Sequence, residues 1–197
     1  MTPFITLTSR AIPLLRDHVD TDAIIPSREI RSTGRSGLKD GLFAQWRYLD
    51  ADARIADPAF VLNRPEYVGA QILLGGVNFG CGSSREHAVW ALAEFGIRCV
   101  IAESFAPIFR GNCLRNGLLP IVAGAVNIAA WAGRELTIDL AAQTVDATTF
   151  AIDPEAKAML LGGLDAIDLT LQHRPAIVAW QAADRGKRPW VYLGASA

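Results

Sequence analysis

Asn78-Phe79-Gly80-Cys81-Gly82-Ser83-Ser84-Arg85-Glu86-His87-Ala88 lies between two patterns of different period. Upstream, Gln71-Ile72-Leu73-Leu74-Gly75-Gly76-Val77 is a short apolar run ending in glycines, which predicts a buried strand. Downstream, Ala88, Val89, Leu92, Ala93 and Phe95 recur at helical spacing. The stretch is therefore a strand, a glycine loop and a helix start. The first N–H groups of a helix have no partner within it and carry partial positive charge. Gly80 and Gly82 would let a ligand approach that backbone. Arg85 adds a planar fork that matches a carboxylate. An organic anion beside one or two hydroxyls fits this set. A plainer reading stands next to it: Ser83 and Glu86 form an S-x-x-E capping box, which closes a helix end and binds nothing.

Familiar alternatives fail on single residues. The dinucleotide fingerprint needs a third glycine where Arg85 stands. The Gly-Lys-Ser/Thr of a P-loop and the G-x-S-x-G elbow are absent. Cys81 lacks the papain surroundings. The net charge of −1 gives no general pull toward nucleic acid or membrane. No apolar run reaches membrane-spanning length, and Met1-Thr2-Pro3-Phe4-Ile5-Thr6 has no signal-peptide character, so a cytoplasmic protein is expected. The three cysteines, Cys81, Cys99 and Cys113, form no C-x-x-C pair, so a metal cluster held by this chain alone is not expected. Cys99 sits in the apolar run Ile97–Ala102 and reads as a buried thiol, whereas Cys81 and Cys113 have contexts near a site. His18, His87 and His173 show no ligand spacing.

At 197 residues and 51% hydrophobic composition, one domain with a sizeable core is expected. Phe4–Thr8 alternates as a strand, 17–26 reads as a polar loop, and 27–39 is basic, glycine-containing and expected to be mobile or ligand-dependent. Leu42–Leu49 looks helical. After the glycine-loop helix come a strand at 97–102, a helix capped by Ser104 and ended by Asn116-Gly117, and a strand at 118–122. This alternation predicts an α/β fold with parallel strands in three layers. A hairpin is expected from 135–140 and 144–152. A helix from about 165 to 183, kinked at Pro175, closes the fold, with Leu169, Ile177, Val178 and Trp180 read as core. The tail through Arg188-Pro189-Trp190-Val191-Tyr192-Leu193 is basic, then apolar, and suits docking or a partner contact.

With these residues in place, the stretch from Asn78 to Ala88 resembles the signature of the isopropylmalate dehydratase small-subunit family. That subunit corresponds to the swivelling fourth domain of aconitases. Val19-Asp20-Thr21-Asp22-Ala23-Ile24-Ile25-Pro26 is similar to the family's N-terminal loop. Arg35-Ser36-Gly37 with Gly41-Leu42-Phe43 is similar to its R-T-G…G-L-F stretch, and Ile108–Cys113 with Asn116–Pro120 to its F-R-x-N-C…N-G-L-L-P stretch. The resemblance spans essentially the whole chain. It implies a swivelling β/β/α three-layer fold over residues 1–197, with a C-terminal helix and tail from about 164. It also implies interconversion of 2- and 3-isopropylmalate in leucine biosynthesis, with a [4Fe–4S] cluster held by a large partner subunit in a heterodimer or a pair of heterodimers.

Chemistry agrees with that division. Dehydrating a hydroxy acid needs a base for a proton next to a carboxylate and an acid for the departing hydroxyl, and a metal serves as that acid. This chain shows no set of residues for holding one, so a partner that brings it is expected. By the family pattern, Ser83 is the position of an alkoxide base, sustained by helix-start N–H groups and Arg85. The pattern implies that Ser84 and Arg85 bind a substrate carboxylate, that Arg35 holds another, and that Asp22 orients or relays protons. Without the resemblance, Asp22 reads as a turn residue and Arg35 as a solvated charge. His87 reads as structural. The family's aromatic–leucine–lysine run is here Glu29-Ile30-Arg31, where a pocket for an isopropyl group should offer apolar surface; Ile30 and Leu38 are the nearby sources. Other readings are a hydro-lyase for another malate (methylmalate–citraconate or homoaconitate type), a non-catalytic anion-binding module, and a serine hydrolase built on Ser83 and His87. The last lacks an oriented acid partner.

Overall fold

A computed structural model describes residues 1–30 and 34–192. The chain opens with strand β1 (Thr6–Pro13), the single-turn helix α1 (Thr21–Ile24) and a second single turn, α2 (Ala44–Arg47). A small two-stranded ribbon follows, β2 (Tyr48–Asp50) and β3 (Ile55–Ala56). Next come β4 (Ile72–Leu74), α3 (Glu86–Phe95), β5 (Cys99–Ala102), α4 (Pro107–Arg115), β6 (Leu119–Val122) and α5 (Ala125–Trp131). The chain closes with β7 (Glu135–Asp139), β8 (Thr144–Val145), β9 (Thr148–Thr149), α6 (Pro154–Gly162), α7 (Ala166–Leu171) and α8 (Arg174–Lys187).

Seven strands form one mixed sheet in the order β6-β5-β4-β1-β7-β8-β9. The first four are parallel, as βα alternation requires, and β1 turns its other edge to β7 in antiparallel pairing. Side chains alternate across a strand, so the sheet divides two cores. Ile12, Leu73 and Val100 face α3 and α4, which contribute Ala88, Val89, Leu92, Phe109 and Cys113. Ala11, Ile72, Leu74 and Ile101 face the other way, where they share a core with Leu136 and Ile138 of β7 and with Ile128 and Leu160 of the late helices. The sheet curls so that its parallel and antiparallel parts share one core, and a helical layer covers the opposite face, which is the β/β/α arrangement expected.

Several local expectations need correction. β1 runs on to Pro13 because its second half pairs with β4. The 17–26 loop contains α1, which Asp20 caps by accepting from the Ala23 N–H at 2.6 Å. Leu42–Leu49 is helical only over α2 and then enters β2, so tertiary pairing with β3 overrides the local propensity. Ser104 caps no helix; its hydroxyl accepts from the Asn78 N–H at 2.8 Å, and α4 instead opens with Pro107 after Ala106. The second arm of the predicted hairpin breaks into β8 and β9 at Asp146, whose φ is +49°.

The C-terminal helix is two helices, with Pro175 in the first turn of α8 rather than at a kink. Its supposed core residues are not buried: Val178 and Trp180 are 54% and 59% exposed, while Leu169 and Ile177 are half-buried. The tail is tied within itself instead, where Arg188 donates twice to Asp184 at 2.7 and 2.9 Å and Tyr192 donates at 2.8 Å. The donated bonds from Arg188 hold the Asp184 carboxyl below its ordinary value. Leu193 lies outside the described residues. Among the described residues, no helix is long and apolar enough to cross a membrane.

Candidate active site

The glycine loop leaves the C-terminal end of β4, where ligands of open α/β sheets gather. It is held from both sides. On one side the Gly80 N–H donates to the Val19 carbonyl at 2.7 Å and the Thr21 N–H donates to the Cys81 carbonyl at 2.9 Å. The buried Thr21 hydroxyl adds a bond to the Ser83 carbonyl at 2.7 Å. On the other side the Phe79 N–H donates to the Ser104 carbonyl at 2.9 Å, and the Ala106 N–H to the Phe79 carbonyl at 3.0 Å. Two motifs sixty residues apart in sequence are thus bonded edge to edge.

Both site glycines have positive φ, +77° at Gly80 and +87° at Gly82. Their purpose differs from the sequence reading. A Cβ on Gly80 would strike the Phe109 ring, and one on Gly82 would press Asp20 at 3.3 Å. The glycines let the loop lie on α4 and on the 19–22 segment; they do not clear a path for a ligand.

The capping box is not formed. The N-cap of α3 is Arg85, with no side-chain cap bond, and Glu86 is the first helical residue. The Glu86 carboxylate accepts from Asn116 Nδ2 at 2.7 Å, and Asn116 in turn accepts from Trp90 Nε1 at 2.9 Å. Ser83 and Ser84 are exposed, and neither hydroxyl caps α3. The Arg85 guanidinium is ion-paired with the Asp22 carboxylate, and it also lies 3.5 Å from the Ile25 carbonyl. Asp22 is 54% exposed there, so the pair adds little stability and a ligand carboxylate can take its place. Ser83, Ser84, Arg85 and Asp22 are therefore brought together at the start of α3.

Arg35 is not part of this group. Its guanidinium lies 5.1 Å from the centre of the Trp90 ring, further along α3. Arg31 lies outside the described residues. His87 packs edge-on against the same Trp90 at 4.7 Å, the structural role expected of it. Glu29 turns inward, 6% exposed, and accepts from Arg54 at 2.5 Å, while Arg28 stays near its carboxylate at 3.7 Å. Leu38 is likewise buried in the core, which removes it as a source of apolar site surface. Cys99 and Cys113 are both fully buried; burial pushes their thiols well up, so neither offers a thiolate and Cys113 is a core residue, not a site residue.

The 34–39 loop is tied to α3 by one carboxylate. Glu94 accepts the N–H groups of Gly37, Leu38 and Lys39 at 2.7, 2.5 and 3.0 Å. Burial pulls this carboxyl up, but the three donated bonds outweigh it and hold the value below the ordinary one. A lowered folded-state value means that the tie stabilises above the unfolded carboxyl value and is lost as pH falls through the folded one. Hydrogen exchange at Gly37, Leu38 and Lys39 is thus expected to lose protection only as pH falls below the ordinary carboxylate range. In Glu94→Ala that protection should already be missing at neutral pH. Acid-insensitive protection, or an unchanged Glu94→Ala, would contradict the tie.

A cavity of about 80 Å³ opens between the loop and the start of α4, walled by Thr21, Ser83, Ser84 and Arg85 on one side and Pro107, Ile108 and Asn112 on the other. Small-molecule sites usually enclose roughly 300 Å³ or more, so this is a fraction of a site. A larger cleft of about 620 Å³ lies elsewhere, around Arg16, Trp46 and Phe60, and contains none of the candidate residues. Among the described residues, no group of three or more His, Cys, Asp or Glu is placed to hold a metal ion. Thr21, Ile108 and Asn112 were not singled out by sequence, although all three stand inside quoted motifs. Spacing alone gave no sign that α4 would face the glycine loop.

Residues 1–125 match the family model described as the aconitase C-terminal domain. A 3-isopropylmalate dehydratase small subunit from Cupriavidus necator is 52% identical over 98% of this chain and 99% of its own. The chain belongs to the 3-isopropylmalate dehydratase small-subunit family. A small subunit from Magnetococcus marinus is 47% identical over 98% of this chain and 100% of its own. A crystal structure of 3-isopropylmalate dehydratase from Methanocaldococcus jannaschii matches with a TM-score of 0.63 at 31% identity, covering 90% of this chain and 99% of that one. Family membership gives the exposed serine pair and its arginine a context in which a half-site is the expected form.

Proposed function

We propose that this chain supplies one wall of the active site of a 3-isopropylmalate dehydratase, which interconverts 2- and 3-isopropylmalate by loss and return of water in leucine biosynthesis. The observation that carries the reading is local. Ser83 and Ser84 stand exposed at the start of α3 beside Arg85, with no capping duty, in a chain of this family. The large subunit supplies the opposite wall. A [4Fe–4S] cluster on that subunit would provide the Lewis acid for the departing hydroxyl. This chain's residues do not fit the cluster: two of its three thiols are sealed in the cores and stay protonated.

The roles follow from position. Ser83 Oγ, as alkoxide, takes the proton from the carbon next to a substrate carboxylate. A serine is a poor base unless its anion is stabilised, and the α3 N-terminus and Arg85 are the local positive groups. Ser84 and Arg85 bind the carboxylate, which fixes the carbon acid within reach of Ser83. Asp22 parks the Arg85 fork in the free subunit and, once a carboxylate replaces it, is released to pass protons. Arg35 would reach a second carboxylate only by leaving Trp90. The Glu29 departure from the family pattern does not argue for a different malate, because that side chain is turned inward on Arg54. Unpaired thiols fit a cytoplasmic location.

The test is an anaerobic assay of this chain mixed with a cluster-bearing large subunit. Formation of the unsaturated intermediate from isopropylmalate should require both chains. A preference for methylmalate or homocitrate would keep the reaction type and move the substrate. No turnover of any of them by an intact complex would reject the reading.

A further inference from the structure

We infer that the cleft at the end of β1 is a docking site for the large subunit, and that it takes a segment in which an apolar side chain stands beside a carboxylate. The inference rests on the proposed function, which needs that subunit, and names the surface that receives it. The cleft measures about 620 Å³. Its floor is apolar. Leu14 and Phe60 are buried there, and Trp46 stacks on the buried Phe43 with 5.7 Å between ring centres. Its rim is cationic. Arg16 and Arg64 are both exposed at the rim, and among the described residues neither is ion-paired with a carboxylate. Asp57 also lines the cleft, with one oxygen already accepting from the Ala59 N–H at 2.9 Å, so two guanidiniums face one carboxylate and the excess charge is positive. The Arg16 guanidinium lies over the Trp46 ring, 4.4 Å from its centre. A guanidinium held over an aromatic face keeps its N–H edges available for a carboxylate.

Shape and position favour a protein segment over a small anion. Leu15, 52% exposed, carries the apolar surface out of the cleft onto the open face. A small-molecule site instead buries most of its ligand. An aromatic floor with an arginine beside it is also the composition that dominates binding energy between proteins. The position is the side that a large subunit has to cover. The cleft wall from Pro13 to Arg16 and the glycine loop both leave the C-terminal ends of the paired strands β1 and β4. They are also bonded to one another. The Gly76 N–H donates to the Arg16 carbonyl at 3.0 Å and the His18 N–H to the Val77 carbonyl at 2.8 Å. Asp17 Oδ1 accepts from the Val77 N–H at 2.8 Å. Cleft wall and serine loop are thus one braced unit. A segment seated in the cleft would fix how far Ser83 stands from the opposite wall.

The experiment measures association of the full chain with the cluster-bearing large subunit, by anaerobic calorimetry, and turnover of isopropylmalate by the mixture. Arg16 is the position to change, because its side chain is exposed and its ring contact is at the surface; an unchanged thermal midpoint checks the fold. Association should weaken about tenfold in Arg16→Ala and about a hundredfold or more in Arg16→Glu, where the cation becomes a repelling charge. The salt dependence of association should flatten in Arg16→Ala. Excess large subunit should restore the turnover of both variants to that of the parent, because Arg16 lies outside the anion site. Unchanged association in Arg16→Glu overturns the docking site and leaves the proposed function standing. A loss of turnover that excess large subunit does not restore overturns it too, since the cleft would then act on the site itself. Self-association of the chain alone that Arg16→Glu abolishes, with subunit association intact, would give the cleft to a second copy. Calorimetric binding of isovalerate that Arg16→Glu abolishes, with subunit association intact, would give it to a small anion. Either result overturns the assignment. If the unaltered chain does not associate with the large subunit at all, the proposed function falls and the docking site falls with it.

Discussion

Ser83→Ala, in the assembled two-subunit enzyme, is expected to lower turnover by about 10²–10⁴-fold, the usual contribution of a positioned base. The protein should fold as before. The hydroxyl makes no cap bond, and the contact that holds the residue in place comes from its backbone carbonyl, which accepts from Thr21 at 2.7 Å. Removing one oxygen leaves that bond intact. The thermal midpoint and subunit association should therefore match the parent while dehydration disappears. Ser84→Ala gives the contrast: its neighbouring hydroxyl is assigned to binding, so its loss should raise KM more than it lowers kcat. A Ser83→Ala enzyme that turns over normally would refute the base assignment and return Ser83 to the role of a loop residue.

Gly80→Ala should have the largest effect on folding. Two penalties add at one methyl group. The backbone there has φ of +77°, which costs an L side chain about 1–2 kcal/mol. The new Cβ would also strike the Phe109 ring, and overpacking of that kind costs about 1–3 kcal/mol. Phe109 cannot move freely, because it sits among Phe79 and Phe105 in the core. A loss of about 3 kcal/mol is expected, read as a shift of the denaturant midpoint with little change in slope. Phe109→Leu should partly rescue Gly80→Ala if the collision is the cause; the left-handed backbone term would remain. Full stability in Gly80→Ala would mean that the loop does not lie on α4.

The parallel half of the sheet was legible because its grammar is local. The apolar runs at 71–77, 97–102 and 118–122, each separated by helical spacing, all became strands joined in parallel. The antiparallel edge was only partly legible, since Phe4–Thr8 showed a strand but nothing in it named Glu135–Asp139 as the neighbour. The C-terminal helices misled for a physical reason. Leu169, Ile177, Val178 and Trp180 have the spacing of a buried face, and periodicity reports that a face is apolar without reporting what covers it.

At the site, the resemblance supplied Ser83, Ser84, Arg85 and Asp22 as a set, and the structure brings those four together. It does not bring Arg35 to them. The inward turn of Glu29 was not legible, because its partner, Arg54, stands far along the chain. The S-x-x-E pattern misled: Glu86 has its own partner in Asn116, which frees Ser83 from the cap.

The clasp between the 19–22 segment and the glycine loop has a consequence for chain-length variation. Both partners hang from the ends of neighbouring parallel strands, β1 and β4, whose register is fixed by Ala11 opposite Ile72 and Pro13 opposite Leu74. Adding or deleting one residue between Pro13 and Val19, or between Leu74 and Gly80, would put Thr21 opposite the wrong carbonyl while leaving the sheet sound. Such an insertion would yield a stable protein with a scrambled anion site. Surface turns such as 140–143 lie outside that clasp. Selection on activity should therefore freeze the length of those two short connections and leave the turns free to drift.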